Sequence, residues 1–183
     1  DILTLKNKIE NISDNLKDVY DVKINRGITT GLNNVFVINE EMKNNILAKD
    51  VQCDYLLKPI LKGADIKRWF SHDPKNYMIY THTGIDINKF KPIKEYLISY
   101  KTELENVYEA KHGKKEWYEL RGCNYYDAFE KEKIMYTRLG AKNSFTINAN
   151  NAFCLDSAGI INSKDNYYLC GILNSKIILF YFK

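Results

Sequence analysis

No two of the four cysteines, Cys53, Cys123, Cys154 and Cys170, are spaced as a Cys-x-x-Cys pair, and the three histidines, His72, His82 and His112, are equally scattered. The ligand spacing of a structural zinc site is therefore absent, and the thiols are expected to be reduced in a cytoplasmic protein. A long apolar run is missing too. The best one, Tyr167 to Phe182, is broken by Asn174, Ser175 and Lys176 and is too short to cross a bilayer. No secretory signal is visible, and the expectation is a soluble chain with no membrane partner. There is no internal repeat, low-complexity tract or clear linker. The chain opens on Asp1 and closes on the apolar "IILFYFK", which reads as a piece of something larger.

What is present fits one domain: 183 residues can bury a proper core. A net charge of +4 and a pI near 8.7 permit a polyanionic partner without requiring one. Tyrosine dominates the aromatic residues, 14 against eight Phe and two Trp. Its apolar ring and polar tip suit core edges and binding surfaces alike, so the count does not choose between them.

Ile2, Leu5, Ile9, Ile12, Leu16 and Val19 step alternately by three and four, a narrow helical seam that wants a second helix against it. Strands are expected at 21–25 and 34–38, then a polar helix from Glu40 to Lys49 and a strand at 77–82. A second seam, Phe90, Ile93, Leu97, Tyr100, Leu104 and Val107, predicts one long internal helix with Pro92 in its first turn. "WYEL", "KIMYTRL", "SFTIN", "AFCLD" and "GIINS" follow as short runs parted by Gly, Asn and Asp, the pattern of an antiparallel region. A last helix runs from about Tyr167. The expected class is α+β, a mixed, mainly antiparallel sheet core with helices at both ends. Residues 1–20 would be a connecting helix and 21–183 the domain proper.

The loop "INRGITTGLNNVFVIN" poses the functional question. It is not a phosphate-binding P-loop: three residues, not four, separate Gly27 from Gly31, and Leu32 follows where Lys would stand. The dinucleotide fingerprint fails for want of a Gly-x-Gly. Asn25, Arg26, Thr29, Thr30, Asn33 and Asn34 remain around a sharp turn. Arg can pair with guanine, Asn with adenine, and Thr can meet thymine, although turns favour Thr and Asn for conformational reasons alone. "KPILKGADIKRW" sets Lys58, Lys62, Lys67 and Arg68 against a single acid, Asp65. Such cations could neutralise phosphates, or simply solvate a turn at Gly63.

Two catalytic patterns bear on this chain. Asp54 followed by Asp65-Ile66-Lys67 imitates the acid, acid-x-Lys arrangement of a Mg²⁺-dependent nuclease, but the pattern is degenerate in so Lys-rich a chain. Glu109-Ala110-Lys111 is weaker still. An enzyme methylating base amino groups needs an (Asn/Asp/Ser)-Pro-Pro-aromatic segment. The chain has only Pro59, Pro74 and Pro92, none adjacent. A third reading is a protein-interaction module working through the two seams.

Taken in order, "RGITTGLNNVFVIN", "LLKPILKGADIKRW", "FKPIKEYLISYKTELE", "WYELR", "KIMYTRL" and "YYLCGILNSKIILFYF" resemble the TaqI-like C-terminal specificity domain of adenine-specific DNA methyltransferases and restriction-modification enzymes. The resemblance covers roughly Val22 to Phe182. It implies a non-catalytic target-recognition domain that grips double-stranded DNA while a separate N-terminal methyltransferase domain methylates N6 of adenine. S-adenosylmethionine, and Mg²⁺ if a nuclease is fused, would belong to the parent enzyme, leaving this stretch without a cofactor, metal or catalytic residue. Arg26, Thr29, Thr30 and Asn33 then become candidates for base edges or nearby phosphates. Lys62, Lys67, Arg68, Arg121, Arg138 and Lys142 become candidates for phosphates. Ala64 stands where the family pattern usually carries Arg or Lys. Trp117 and Tyr118 stay open between core and contact roles.

Overall fold

Alternation along two neighbouring strands explains the centre of the molecule. In the computed structural model, which describes residues 2–18, 21–138, 144–148 and 151–181, β5 (Lys133–Thr137) pairs antiparallel with β8 (Ala158–Asn162). Met135 and Ile160 face one way, Ile134 and Ile161 the other, and all four are buried. Successive strand residues point to opposite faces, so a strand apolar at every position must be covered on both.

These strands lie within a sheet of order β1-β8-β5-β6, completed by β1 (Lys23–Arg26) and β6 (Phe145–Asn148), every pair antiparallel. The second sheet has order β2-β4-β3-β7: β2 (Val37–Asn39), β4 (Asn76–Ile79), β3 (Leu57–Leu61) and β7 (Phe153–Cys154), with only β3–β7 parallel. The main core joins Met135, Ala158 and Ile160 of the first sheet to Leu57, Ile60, Met78 and Ile79 of the second. On the far face of the first sheet, Ile134, Phe145 and Ile161 pack against Cys170 and Leu173 of a helix, α7 (Asn166–Leu173). The class is α+β and mainly antiparallel, as expected from the sequence.

The remaining helices are α1 (Ile2–Ile12), α2 (Asn33–Phe36), α3 (Glu40–Lys49), α4 (Lys91–Ile98), α5 (Lys101–Glu105), α6 (Tyr108–Lys111) and α8 (Lys176–Tyr181). Several boundaries differ from the sequence reading. The 34–38 run splits into α2 and β2, because Gly31 (φ +90°) turns the chain and Leu32 O accepts from the N–H groups of Val35 and Phe36. The 90–107 seam is divided: Ser99 and Tyr100 N–H donate three residues back, to Tyr96 O and Leu97 O, tightening the end of α4. Ile93, Leu97 and Leu104 are nevertheless all fully buried. "WYEL" is a turn rather than a strand, closed by Glu119 N–H donating to Glu116 O and Leu120 N–H to Thr81 O.

The first seam is α-helical only over α1, which buries no residue, and resumes as a 3-10 turn at Leu16–Asp18, where Leu16 packs against the cluster under α7. Ile2, Leu3, Leu5 and Ile12 are exposed, and Tyr181 of α8 donates its hydroxyl to Glu10. Val19, at the end of the seam, lies outside the described residues. Among the described residues no helix is long and apolar enough to cross a membrane. All four cysteines are free thiols, and burial pushes Cys154 up to about 12, which leaves it inert.

Candidate nucleic-acid interface

Strand direction fixes where the candidate residues meet. Arg26 closes β1 opposite Gly159, Thr137 closes β5 opposite Ala158, and Tyr136 faces Phe145, the first residue of β6. One end of the first sheet therefore carries Arg26, Arg138, the Asp156–Ser157 turn before β8, and the entry to β6. The opposite end carries Lys23, Lys133, Asn148 and Asn162.

The Asp156–Ser157 turn is the hub of the first end. Gly27 N–H donates to Ala158 O (2.9 Å), Ile28 N–H to Cys154 O (2.7 Å), and Ile28 O accepts from Asp156 N–H (3.1 Å). Arg138 Nη1 donates to Asp156 O (2.8 Å), and Arg138 N–H to Ser157 O (3.0 Å). From the second sheet, Gly63 N–H donates to Ser157 Oγ (3.0 Å), which brings Lys62 alongside. Glycine is required at Gly63, since a Cβ there would stand 2.6 Å from Ser157 O. Three basic positions far apart in sequence, Arg26, Lys62 and Arg138, thus surround one turn, and all three are exposed.

The 24–39 loop is a fixed part of this end. Ile28, Val35 and Phe36 anchor it in the core, and Tyr96 donates its hydroxyl to Val35 O (3.0 Å). Arg26 and Asn33 face solvent and Thr29 is half-buried. Thr30 cannot reach a base: it is 1% exposed, and its Oγ1 donates to Asn33 Oδ1 (2.7 Å). Its role is to hold Asn33. Arg26 lies against the Tyr125 hydroxyl and near Cys123.

Thr29, Asn33 and Arg121 open onto a cleft of about 430 Å³, with Asp156 and Glu103 also on its walls. Arg121 Nε donates to Glu109 Oε1 (2.5 Å), and this bond holds the Glu109 carboxyl below the usual carboxylate range. Arg121 is thereby half committed within the protein. Glu109 in turn is engaged through Oε1 in this ion pair.

Lys67, Arg68, Trp69 and Phe70 form the tip of a hairpin closed by the Ile66–Ser71 bridge. Lys67 N–H donates to Phe70 O (2.8 Å) and Trp69 N–H to Phe145 O (3.1 Å), which places the tip at the same sheet end. Arg68 Nη2 donates to Asn174 O (2.6 Å) at the end of α7, while Lys67 is exposed. Two exposed aromatics that are not among the sequence candidates, Trp69 and Phe70, stand at this tip. The signal available was their place directly after "KGADIKR". Lys142 lies outside the described residues.

The nuclease arrangement is not assembled. Asp54 and Asp65 flank the five residues of β3, a separation of roughly 16 Å at ~3.3 Å per residue. Asp54 pairs with Lys43 (3.7 Å), and Asp65 Oδ2 accepts the Lys62 N–H (2.8 Å), capping its own turn. These residues do not fit a shared Mg²⁺. Among the described residues no group of three or more His, Cys, Asp and Glu is placed to hold a metal ion. Trp117 and Tyr118 are half-buried against the main core, which assigns them to packing.

The family model described as the TaqI-like C-terminal specificity domain matches residues 58–183. That span includes the Lys62–Phe70 hairpin, Arg121 and Arg138, and leaves out the 24–39 loop. The comparison with curated proteins finds no match. Among solved structures, the fold is similar to the type IIL restriction-modification enzyme MmeI, solved in complex with DNA, with a TM-score of 0.59 at 8% identity. The alignment covers 84% of this chain and 20% of that one, so this chain spans about a fifth of the enzyme's length.

Proposed function

The chain belongs to the TaqI-like C-terminal specificity domain family, and on that premise we propose that it is the DNA target-recognition domain of a restriction-modification enzyme. One observation carries the reading: exposed cations from three separate segments, Arg26, Lys62 with Lys67, and Arg138, gather at a single sheet end around a core-anchored loop. Cations that converge from distant parts of a sequence onto one rigid face make a phosphate-binding footprint. The neighbouring Arg26 and Asn33 supply donors and acceptors suited to base edges in the major groove. Thr29 borders the same cleft.

In this reading the domain supplies grip and sequence choice, and a separate methyltransferase domain of the parent chain transfers a methyl group to N6 of adenine. S-adenosylmethionine is held by that separate domain, and Mg²⁺ by a nuclease domain where one is fused. Residues 1–20 connect the domains, and the site of action is the cytoplasm. The chain itself is not an enzyme.

The test is a titration of the natural protein with mixed-sequence duplex DNA at several salt concentrations. Binding is expected to weaken steeply as salt rises, by roughly 0.9 in log–log slope per neutralised phosphate. Absence of duplex binding at low salt would refute the reading.

A further inference from the structure

Trp69 has φ +77°, a left-handed conformation that bulky side chains adopt rarely and glycine adopts freely. The position is held rigidly: Phe145 O accepts both Trp69 N–H (3.1 Å) and Asn174 Nδ2 (2.9 Å), and Arg68 ties the tip to α7. The side chains gain no burial in return, because Trp69 is 57% exposed and Phe70 55%. The Trp69 ring meets the Arg68 guanidinium at 5.5 Å, and Phe70 meets the edge of His72 at 5.6 Å. Strain retained at an exposed, over-determined position points to a task for the side chain outside the fold.

We propose that Trp69 and Phe70 form an aromatic wedge that stacks on a base of the bound duplex, at a step the protein unstacks. The proposal rests on the DNA-binding reading above and goes beyond it. Charge selects the occupant. Lys67 is exposed on the same tip, Arg68 lies over the Trp69 ring, and Lys62 and Arg138 stand at the same sheet end. A polyanion fits this setting, whereas a plain apolar protein partner would leave the cations without counter-charges. Aromatic and apolar side chains inserted at base steps are a known way to fix a bent or opened duplex, and stacking tolerates any base because every base has a π-face.

The experiment uses the intact natural protein with Trp117→Phe, which leaves Trp69 as the only one of this chain's two tryptophans. Trp69 emission is read as the difference between Trp117→Phe and Trp117→Phe/Trp69→Phe, and mixed-sequence duplex is expected to quench it and shield it from acrylamide. Trp69→Ala is expected to weaken duplex binding about five- to a hundredfold, and Trp69→Phe to retain most of it. Trp69→Gly separates function from folding. It suits the positive φ, so the thermal midpoint is expected to hold or rise while binding falls. Duplex binding that persists unchanged in Trp69→Ala, with Trp69 still open to acrylamide, overturns the wedge and leaves the DNA reading standing. Trp69 shielded before DNA is added also overturns it, because another part of the protein would then cover the ring. Absence of any duplex binding removes the DNA reading itself.

Discussion

Gly27 and Leu155 approach so closely that a Cβ on the glycine would stand 2.1 Å from the Leu155 carbonyl oxygen. The opposing atoms are backbone, and Ile28 and Leu155 form a parallel bridge there, so neither chain can withdraw without breaking the link between the 24–39 loop and the β7–β8 turn. At Gly159 a Cβ would meet the end of the Tyr136 ring at 2.5 Å. A half-buried side chain can swing aside where a backbone cannot. Gly27→Ala is therefore expected to destabilise by about 3 kcal/mol or more, and Gly159→Ala by less, in denaturant midpoints at unchanged slope. The reverse ranking would contradict this account of the junction.

Asp65 is a capping residue. Removing the acceptor from the Lys62 N–H in Asp65→Ala is expected to cost about 1 kcal/mol, with most of that retained in Asp65→Asn. DNA cleavage by the parent enzyme, if it has a nuclease, is expected to survive both changes. Mg²⁺-dependent cleavage abolished by Asp65→Ala and by Asp54→Ala alike would restore the nuclease reading.

The strands were legible in the sequence where apolar residues ran together between turn signals, as at Lys133–Thr137 and Ala158–Asn162. The 34–38 run misled because its apolar residues are buried by a single helical turn as fully as by a strand. Periodicity cannot separate these two in so short a run. At the site, residue type was legible and depth was not. Thr30 and Thr29 look alike in sequence, but the bridge at Ile28 turns Thr30 inward. The convergence of Arg26, Lys62 and Arg138 depends on pairings between distant segments, which local pattern does not encode. Trp69 is visible in sequence directly after the charged turn, but its exposure is not, because that depends on the hairpin geometry.

Specificity and grip should separate by mutation. Arg26 is placed beside the base-facing loop, while Lys67 projects from the hairpin tip with its side chain exposed. Arg26→Ala is expected to cost roughly 1–3 kcal/mol on the cognate site and to relax the preference at one base pair. Lys67→Ala is expected to weaken cognate and random duplexes alike and to shallow the salt slope by about one phosphate's worth. Both are read from binding titrations of the natural protein over a salt series. An unchanged slope in Lys67→Ala removes its phosphate role. Uniform weakening across all sequences in Arg26→Ala removes its base-reading role.

Lys133 links the fold to pH at the opposite end of the same sheet. Its ammonium group is fully buried and donates to Phe129 O (2.6 Å), Lys131 O (3.3 Å) and Asn148 Oδ1 (3.2 Å), with no carboxylate among these acceptors. Burial pushes its pKa down from 10.5 to about 8. Between those values the unfolded chain holds a proton that the folded chain has released, so stability rises with pH across that window. Below about pH 8 both states are protonated and the folded state bears the whole penalty, roughly 3 kcal/mol at ~1.4 kcal/mol per pH unit. The buried phenols act in the opposite sense. Burial pushes Tyr96 up to about 12 and raises Tyr80 and Tyr126 further. The stability these phenols contribute is complete below pH 10, the ordinary tyrosine value, and is lost as the pH rises above it. The buried Cys154 thiol, raised from 9.0 to about 12, likewise loses its contribution above pH 9, so chemical denaturation of the wild-type chain should show stability climbing from about pH 8 and turning over near pH 9. Lys133→Met should lose the climb and keep the fall. A variant whose stability still climbs in parallel with the wild type between pH 8 and pH 9 would show that another group is responsible.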